Sequence, residues 1–70
     1  MRQPDINRLS RAIEHVEAAI VHLEKVREKT EGWQRYRTNQ HLDSLMYERT
    51  QMEVFLDTMK AEPDYQRQNY

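Results

Sequence analysis

The stretch AIEHVEAAIVHLEKV, residues 12–26, decides the fold of this 70-residue chain. Its apolar side chains return every three or four residues, which is the spacing of a helix that buries one side. With the residues before it, the stretch supplies six apolar positions spaced 3, 4, 3, 4, 3, namely Ile6, Leu9, Ile13, Val16, Ile20 and Leu23. This spacing is that of a coiled-coil seam and predicts a long first helix.

The same spacing recurs in the second half of the chain, at Leu42, Leu45, Arg49, Met52, Leu56 and Met59. Between the two seams lies Gly32, the only glycine, which can adopt the left-handed conformation that ends a helix. Pro4 favours a helix start, and Pro63 prevents a helix from continuing. We therefore predict an all-α antiparallel helical hairpin over residues 1–62, with helix 1 at about 5–31, a turn near 32–34, helix 2 at about 35–61, and a flexible tail at 63–70.

A turn at Gly32 and Trp33 also predicts the register of the hairpin. It places residues whose numbers sum to 65 opposite one another, so that every seam position faces another seam position. Ile20, for example, would face Leu45.

Further apolar residues lie beside the seams and widen the apolar face beyond what one helix can cover. These residues are Ala12, Ala19, Val26, Met46, Tyr47, Val54 and Phe55. A chain of this size without cysteine usually needs a partner for stability. We predict a homodimer that forms a four-helix bundle through these residues, and the alternative is a different protein that supplies the missing helices.

Arg49 is the one charged residue among the predicted seam positions. As a buried polar residue it could fix the register by pairing with Glu17 or Glu53, or with Glu48 of a neighbouring chain. The alternative is that its aliphatic stem lies along the seam while the guanidinium reaches water.

No pattern in the sequence indicates catalysis or a cofactor. His15 and His22 are two helical turns apart, about 10.5 Å, which is too far for one metal ion. Ser10 and Ser44 lack evident catalytic companions, and one glycine cannot make a phosphate-binding loop. We expect a non-enzyme without metal or cofactor.

The segment GWQRYR, residues 32–37, is the best candidate for a ligand or nucleic-acid contact. Its candidate residues are Trp33, Arg35, Tyr36 and Arg37. Aromatic rings can stack on bases, and guanidinium groups can bind phosphates. The alternative is that both rings pack against the end of the bundle.

The charges nearly cancel, with 11 Lys and Arg against 12 Asp and Glu, so no overall field attracts nucleic acid or membrane. We expect a cytoplasmic regulatory protein that binds itself and a larger macromolecule, and no membrane. Nucleic-acid or nucleotide binding through residues 32–37 is the less favoured alternative. A further alternative is an inhibitor that occludes a helix groove of a partner protein, with Tyr47, Val54 and Phe55 as anchors.

Overall fold

The structure, a computed structural model, describes residues 2–61 and consists of two α-helices. Helix α1 spans Arg2–Glu28 and helix α2 spans Gly32–Ala61. The two helices pack against each other as a hairpin, and the described residues contain no strand, which confirms the predicted all-α hairpin. Neither helix is long and apolar enough to cross a membrane. The tail predicted at 63–70 lies outside the described residues, and the four-helix bundle stays a prediction.

The two predicted seams form the contact between the helices. Of their twelve positions, Ile13, Ile20 and Leu42 are buried and the other nine are half-buried. The structure extends this pattern to three polar residues that the apolar spacing left out: Arg27, Thr30 and Thr38. Each lies three or four residues from its neighbour in the seam. The same spacing therefore predicts these positions when polar residues are counted together with apolar ones.

The loop between the helices is short and lies earlier than the predicted turn. It spans residues 29–31, and α1 ends at Glu28 rather than near 31. The hydroxyl of Thr30 donates hydrogen bonds to the backbone oxygens of Val26 (3.0 Å) and Arg27 (3.3 Å). The backbone N–H groups of Lys29 and Thr30 donate to the same two oxygens. A threonine thus satisfies carbonyls that a helix end leaves without partners, and α1 stops before the glycine.

Gly32 adopts the left-handed conformation, with φ at 59°, but as the first residue of α2 rather than as the end of α1. The N–H of Arg35 then donates to the oxygen of Glu31 (3.5 Å) at the start of the new helix. A Cβ atom added at Gly32 would meet nothing within 4 Å. The glycine is therefore required by its backbone angle and not by lack of space.

A hydrogen bond between the helices locates the register. Nη1 of Arg27 donates to Oδ1 of Asn39 at 3.4 Å, and these residue numbers sum to 66, one more than the predicted 65. Near this register the last residue of α1 is level with Arg37, so α2 extends beyond α1 by about five residues, or roughly 7.5 Å. All six residues 32–37 are exposed, as this overhang requires.

Candidate interaction surfaces

The overhanging start of α2 forms a tip that we define by Lys29, Trp33, Arg35, Tyr36 and Arg37. The side chain of Trp33 is 72% exposed and that of Tyr36 is 60% exposed. Within the described chain, neither ring therefore packs against the end of the hairpin. This removes the packing alternative for a single chain and leaves two large aromatic surfaces in contact with water.

Both rings have a polar neighbour one helical turn further on. The guanidinium carbon of Arg37 lies 5.8 Å from the centroid of the Trp33 ring, within the range of a cation–π contact. Nε2 of Gln40 donates a hydrogen bond to the Tyr36 hydroxyl oxygen at 3.1 Å. Residues three and four apart share one side of a helix, so Trp33, Tyr36 and Arg37 form one cluster.

The tip is also the most basic part of the described chain. Between residues 25 and 37 there are five Lys and Arg and two Glu, a net charge of +3, whereas the whole chain carries −1. The guanidinium groups of Arg35 and Arg37 make no hydrogen bond or ion pair to a described residue. Arg35 lies on the opposite side of the helix from Trp33, so the two guanidinium groups flank the overhang. Gln40, which the sequence pattern did not single out, joins this cluster through its hydrogen bond to the Tyr36 hydroxyl, and Lys29 lies in the loop before α2.

Four of the predicted interface residues lie together on one side of the hairpin. Ala12, Ala19 and Val26 each precede a seam residue of α1, and Phe55 precedes Leu56 in the seam of α2. In an antiparallel pair, residues that hold this position in both helices lie on the same flank. We call Ala12, Ala19, Val26 and Phe55 the apolar flank; the exposed His41 and Glu48 hold the same position in α2, directly before Leu42 and Arg49, and lie beside them. Val26 and Phe55 are exposed, and the two alanines are half-buried.

The other three predicted interface residues lie elsewhere. Met46 follows Leu45 of the seam, so it lies on the opposite flank, where it is half-buried. Tyr47 and Val54 are on the outer side of α2, away from α1, and are 62% and 57% exposed. They continue the line of Trp33 at intervals of seven residues. The seven residues thus form three surfaces and not the single face that the spacing suggested.

Arg49 is half-buried in the seam, at the predicted position. Its guanidinium makes no hydrogen bond or ion pair to a described residue, so Glu17 and Glu53 do not pair with it. This arrangement agrees with a stem that lies along the seam and a guanidinium that reaches water. Pairing with Glu48 of a neighbouring chain stays a prediction.

No metal-binding cluster is present in the part of the chain that the structure describes. His15, His22 and His41 are all exposed, and no three His, Asp or Glu side chains of residues 2–61 converge. A cleft at the start of α1 is shallow and open, and is lined by Pro4, Asn7, Arg8 and Arg11. None of these groups offers a paired nucleophile and base.

The geometry defines a two-helix hairpin with an apolar flank, an exposed outer side on α2 and an aromatic, basic tip. No model of a known protein family, no curated protein and no solved structure matches this chain. Its function has to follow from its own residues.

Proposed function

We propose that this chain is a small non-catalytic interaction protein, a homodimer of helical hairpins that binds and modulates a larger macromolecule. The observation that carries the proposal is the size of its core. Only Ile13, Ile20 and Leu42 are buried apolar residues in the described chain. Seven large hydrophobic side chains are exposed there. Two helices with so small a core do not normally hold together alone, because ordering the chain costs more than this burial returns.

A second copy is the partner that the apolar flank favours. The small side chains of Ala12 and Ala19 permit close approach of another helix, and closed homodimers are the commonest oligomers. A hairpin face about 40 Å long and 20 Å wide offers about 800 Å², by the dimensions of paired helices. That area is about what each partner contributes to a stable protein interface.

The test is the mass in solution, measured by light scattering after gel filtration over a range of concentrations. We expect twice the chain mass of 8.6 kDa. Ala19→Glu should give the mass of one chain, because it places a carboxylate on the apolar flank. The matched control is Ala18→Glu, the same change one residue earlier at an exposed position, which should keep the dimer mass.

A single-chain mass at every concentration, or an equal effect of both substitutions, would contradict the homodimer. That result would favour the inhibitor function, which is supported by the exposed apolar residues on the outer side of α2. Tyr47 and Val54 would then be anchors that enter a helix groove of a partner protein.

A further inference from the structure

We propose that the tip binds single-stranded nucleic acid, with bases stacked on Trp33 and Tyr36 and phosphates bound by Arg35, Arg37 and Lys29. The inference rests on the proposed function, since it names the macromolecule that the hairpin binds. The structure adds three features that the sequence alone does not contain: the overhang of α2, the exposure of both rings, and guanidinium groups without a carboxylate partner among the described residues.

The aromatic rings of Trp33 and Tyr36 do not contribute to the packing between the two helices. Residues 32–37 precede the first buried residue of α2, Thr38, whose hydroxyl bonds to the backbone oxygen of Gln34 and to neither aromatic ring. Leaving a Trp and a Tyr in water costs hydrophobic free energy that a polar residue would avoid. Their neighbours hold them on one side of the helix through the Arg37 and Gln40 contacts. Exposed, positioned rings are what base stacking requires.

The positive charge of the tip supplies the second half of the site. A guanidinium group binds a phosphate through two parallel N–H groups, and Arg35 and Arg37 have no carboxylate partner among the described residues. Lys29 is exposed in the loop between them and the end of α1. Since the remainder of the chain is net negative, a polyanion would be attracted to this end of the hairpin.

The geometry favours a single strand over a duplex. In a duplex the faces of the bases stack on one another and cannot reach Trp33 or Tyr36, whereas unpaired bases can. The two rings are three residues apart and so lie within one turn of α2. This spacing accommodates about two consecutive bases, with their phosphates near the flanking cations.

Trp33 is the only tryptophan of the chain, so its fluorescence reports on the tip alone. The full-length protein would be titrated, in about 50 mM salt, with oligouridine and oligothymidine of about 12 nucleotides, a length within the usual site sizes. We expect quenching by both single strands and much less by a duplex of the same length. A difference between the two strands would show whether the ribose hydroxyl contributes.

The variant Arg35→Gln/Arg37→Gln removes two phosphate contacts, and its affinity would be measured by anisotropy of a labelled oligouridine. The slope of log K against log salt should fall by about 1.4, with an affinity loss of about seventy-fold at 50 mM and about ten-fold at 200 mM salt. The matched control, Arg8→Gln/Arg11→Gln, makes the same charge change at exposed positions near the other end of the hairpin. It should change the affinity less than two-fold.

Trp33→Ala tests the stacking contact. We expect a loss of about ten-fold in affinity with an unchanged salt slope, because a stacked ring contributes without releasing counterions. An unaffected affinity would overturn the stacking role.

Several results would overturn the proposal as a whole: no binding of either single strand in 50 mM salt, equal losses in the tip variant and its control, or equally tight binding of poly-glutamate. The last result would indicate an acidic protein partner. A Trp33 emission maximum typical of a buried ring in the free protein would show that a second copy covers the tip, and would also overturn it.

The wild-type protein and the variants described above test nucleic-acid binding and homodimer formation independently. Arg35→Gln/Arg37→Gln should keep the dimer mass while losing nucleic acid, and Ala19→Glu should lose the dimer mass. If the wild-type protein has a dimer mass but binds no single strand, only the nucleic-acid proposal fails. If it binds as a single chain, only the homodimer fails.

Discussion

At the scale of single residues, two polar side chains in the seam of α2 differ in burial because only one of them has a hydrogen-bond partner. The hydroxyl of Thr38 donates to the backbone oxygen of Gln34 at 2.9 Å, and Thr38 is buried. Arg49 has no such bond to a described residue and is only half-buried. A polar group can enter a core when its hydrogen bonds are satisfied locally, and a guanidinium with several donors cannot meet that condition here.

Arg49→Leu should therefore stabilise the hairpin. Leucine would fill the seam position with an apolar side chain and would remove a partly dehydrated cation, and we expect a gain of about 1 kcal/mol in the free energy of unfolding. Urea unfolding at fixed protein concentration measures it. Arg11→Leu, at an exposed position of α1, is the control and should change the free energy little.

A loss of stability in Arg49→Leu together with a changed mass in solution would contradict this prediction. It would indicate that Arg49 pairs across the dimer with Glu48 and fixes the register there.

At the scale of the helices, the seam could be predicted from the sequence and the loop could not. The 3, 4 spacing identified twelve seam positions, because a periodic pattern is averaged over many residues, and it missed only the polar positions Arg27, Thr30 and Thr38. The end of α1 depends on one side chain, Thr30, whose hydroxyl bonds to the last carbonyls. A glycine nearby gave the stronger signal, since Gly is the usual residue after a helix end.

Thr30→Val tests this ending of α1. The change keeps the shape of the side chain and removes the hydroxyl, so the oxygens of Val26 and Arg27 lose a donor, and we expect a cost of about 1 kcal/mol. The control is Thr50→Val, because the Thr50 hydroxyl also donates to a carbonyl four residues earlier, that of Met46, but within the exposed middle of α2.

Thermal unfolding of both variants gives the comparison. Thr50→Val should be nearly neutral, because the oxygen of Met46 lies inside α2 and keeps the i to i+4 bond of a regular helix. The oxygens of Val26 and Arg27 would keep only the i to i+3 bonds from Lys29 and Thr30. Equal effects of the two substitutions would show that the hydroxyl of Thr30 does not determine where α1 ends.

At the scale of the whole molecule, the small core links folding to the proposed assembly. Ile13, Ile20 and Leu42 are the buried apolar residues of the described chain, and most of the stability of a helix in a protein comes from the packing of its apolar face. The sequence indicated the need for a partner from size and composition. It could not divide the surplus apolar residues into separate surfaces, because that division depends on how the two helices are turned toward each other.

We expect the helical content to depend on protein concentration. In a dimer that stabilises its own helices, dilution shifts the chains toward less stable monomers, so the midpoint of thermal unfolding should fall by several degrees for a hundredfold dilution. Far-UV circular dichroism at several concentrations measures this shift. Ala18→Glu should behave like the wild type, whereas Ala19→Glu should have a low midpoint that does not change with concentration. An unchanged midpoint in the wild type would mean that one hairpin is stable alone.

The overhang of α2 has a consequence for how such a chain can evolve. Residues 32–37 come before the seam of α2 begins, and all of them are exposed. If the tip binds nucleic acid as proposed, substitutions at residues 33–37 can alter what the hairpin recognises while the left-handed Gly32 and the interior stay unchanged, and substitutions in the seam can change stability without altering recognition. On this proposal, recognition and folding are encoded in separate blocks of a 70-residue chain. A lineage could retarget the tip by a few point mutations while it kept the same scaffold.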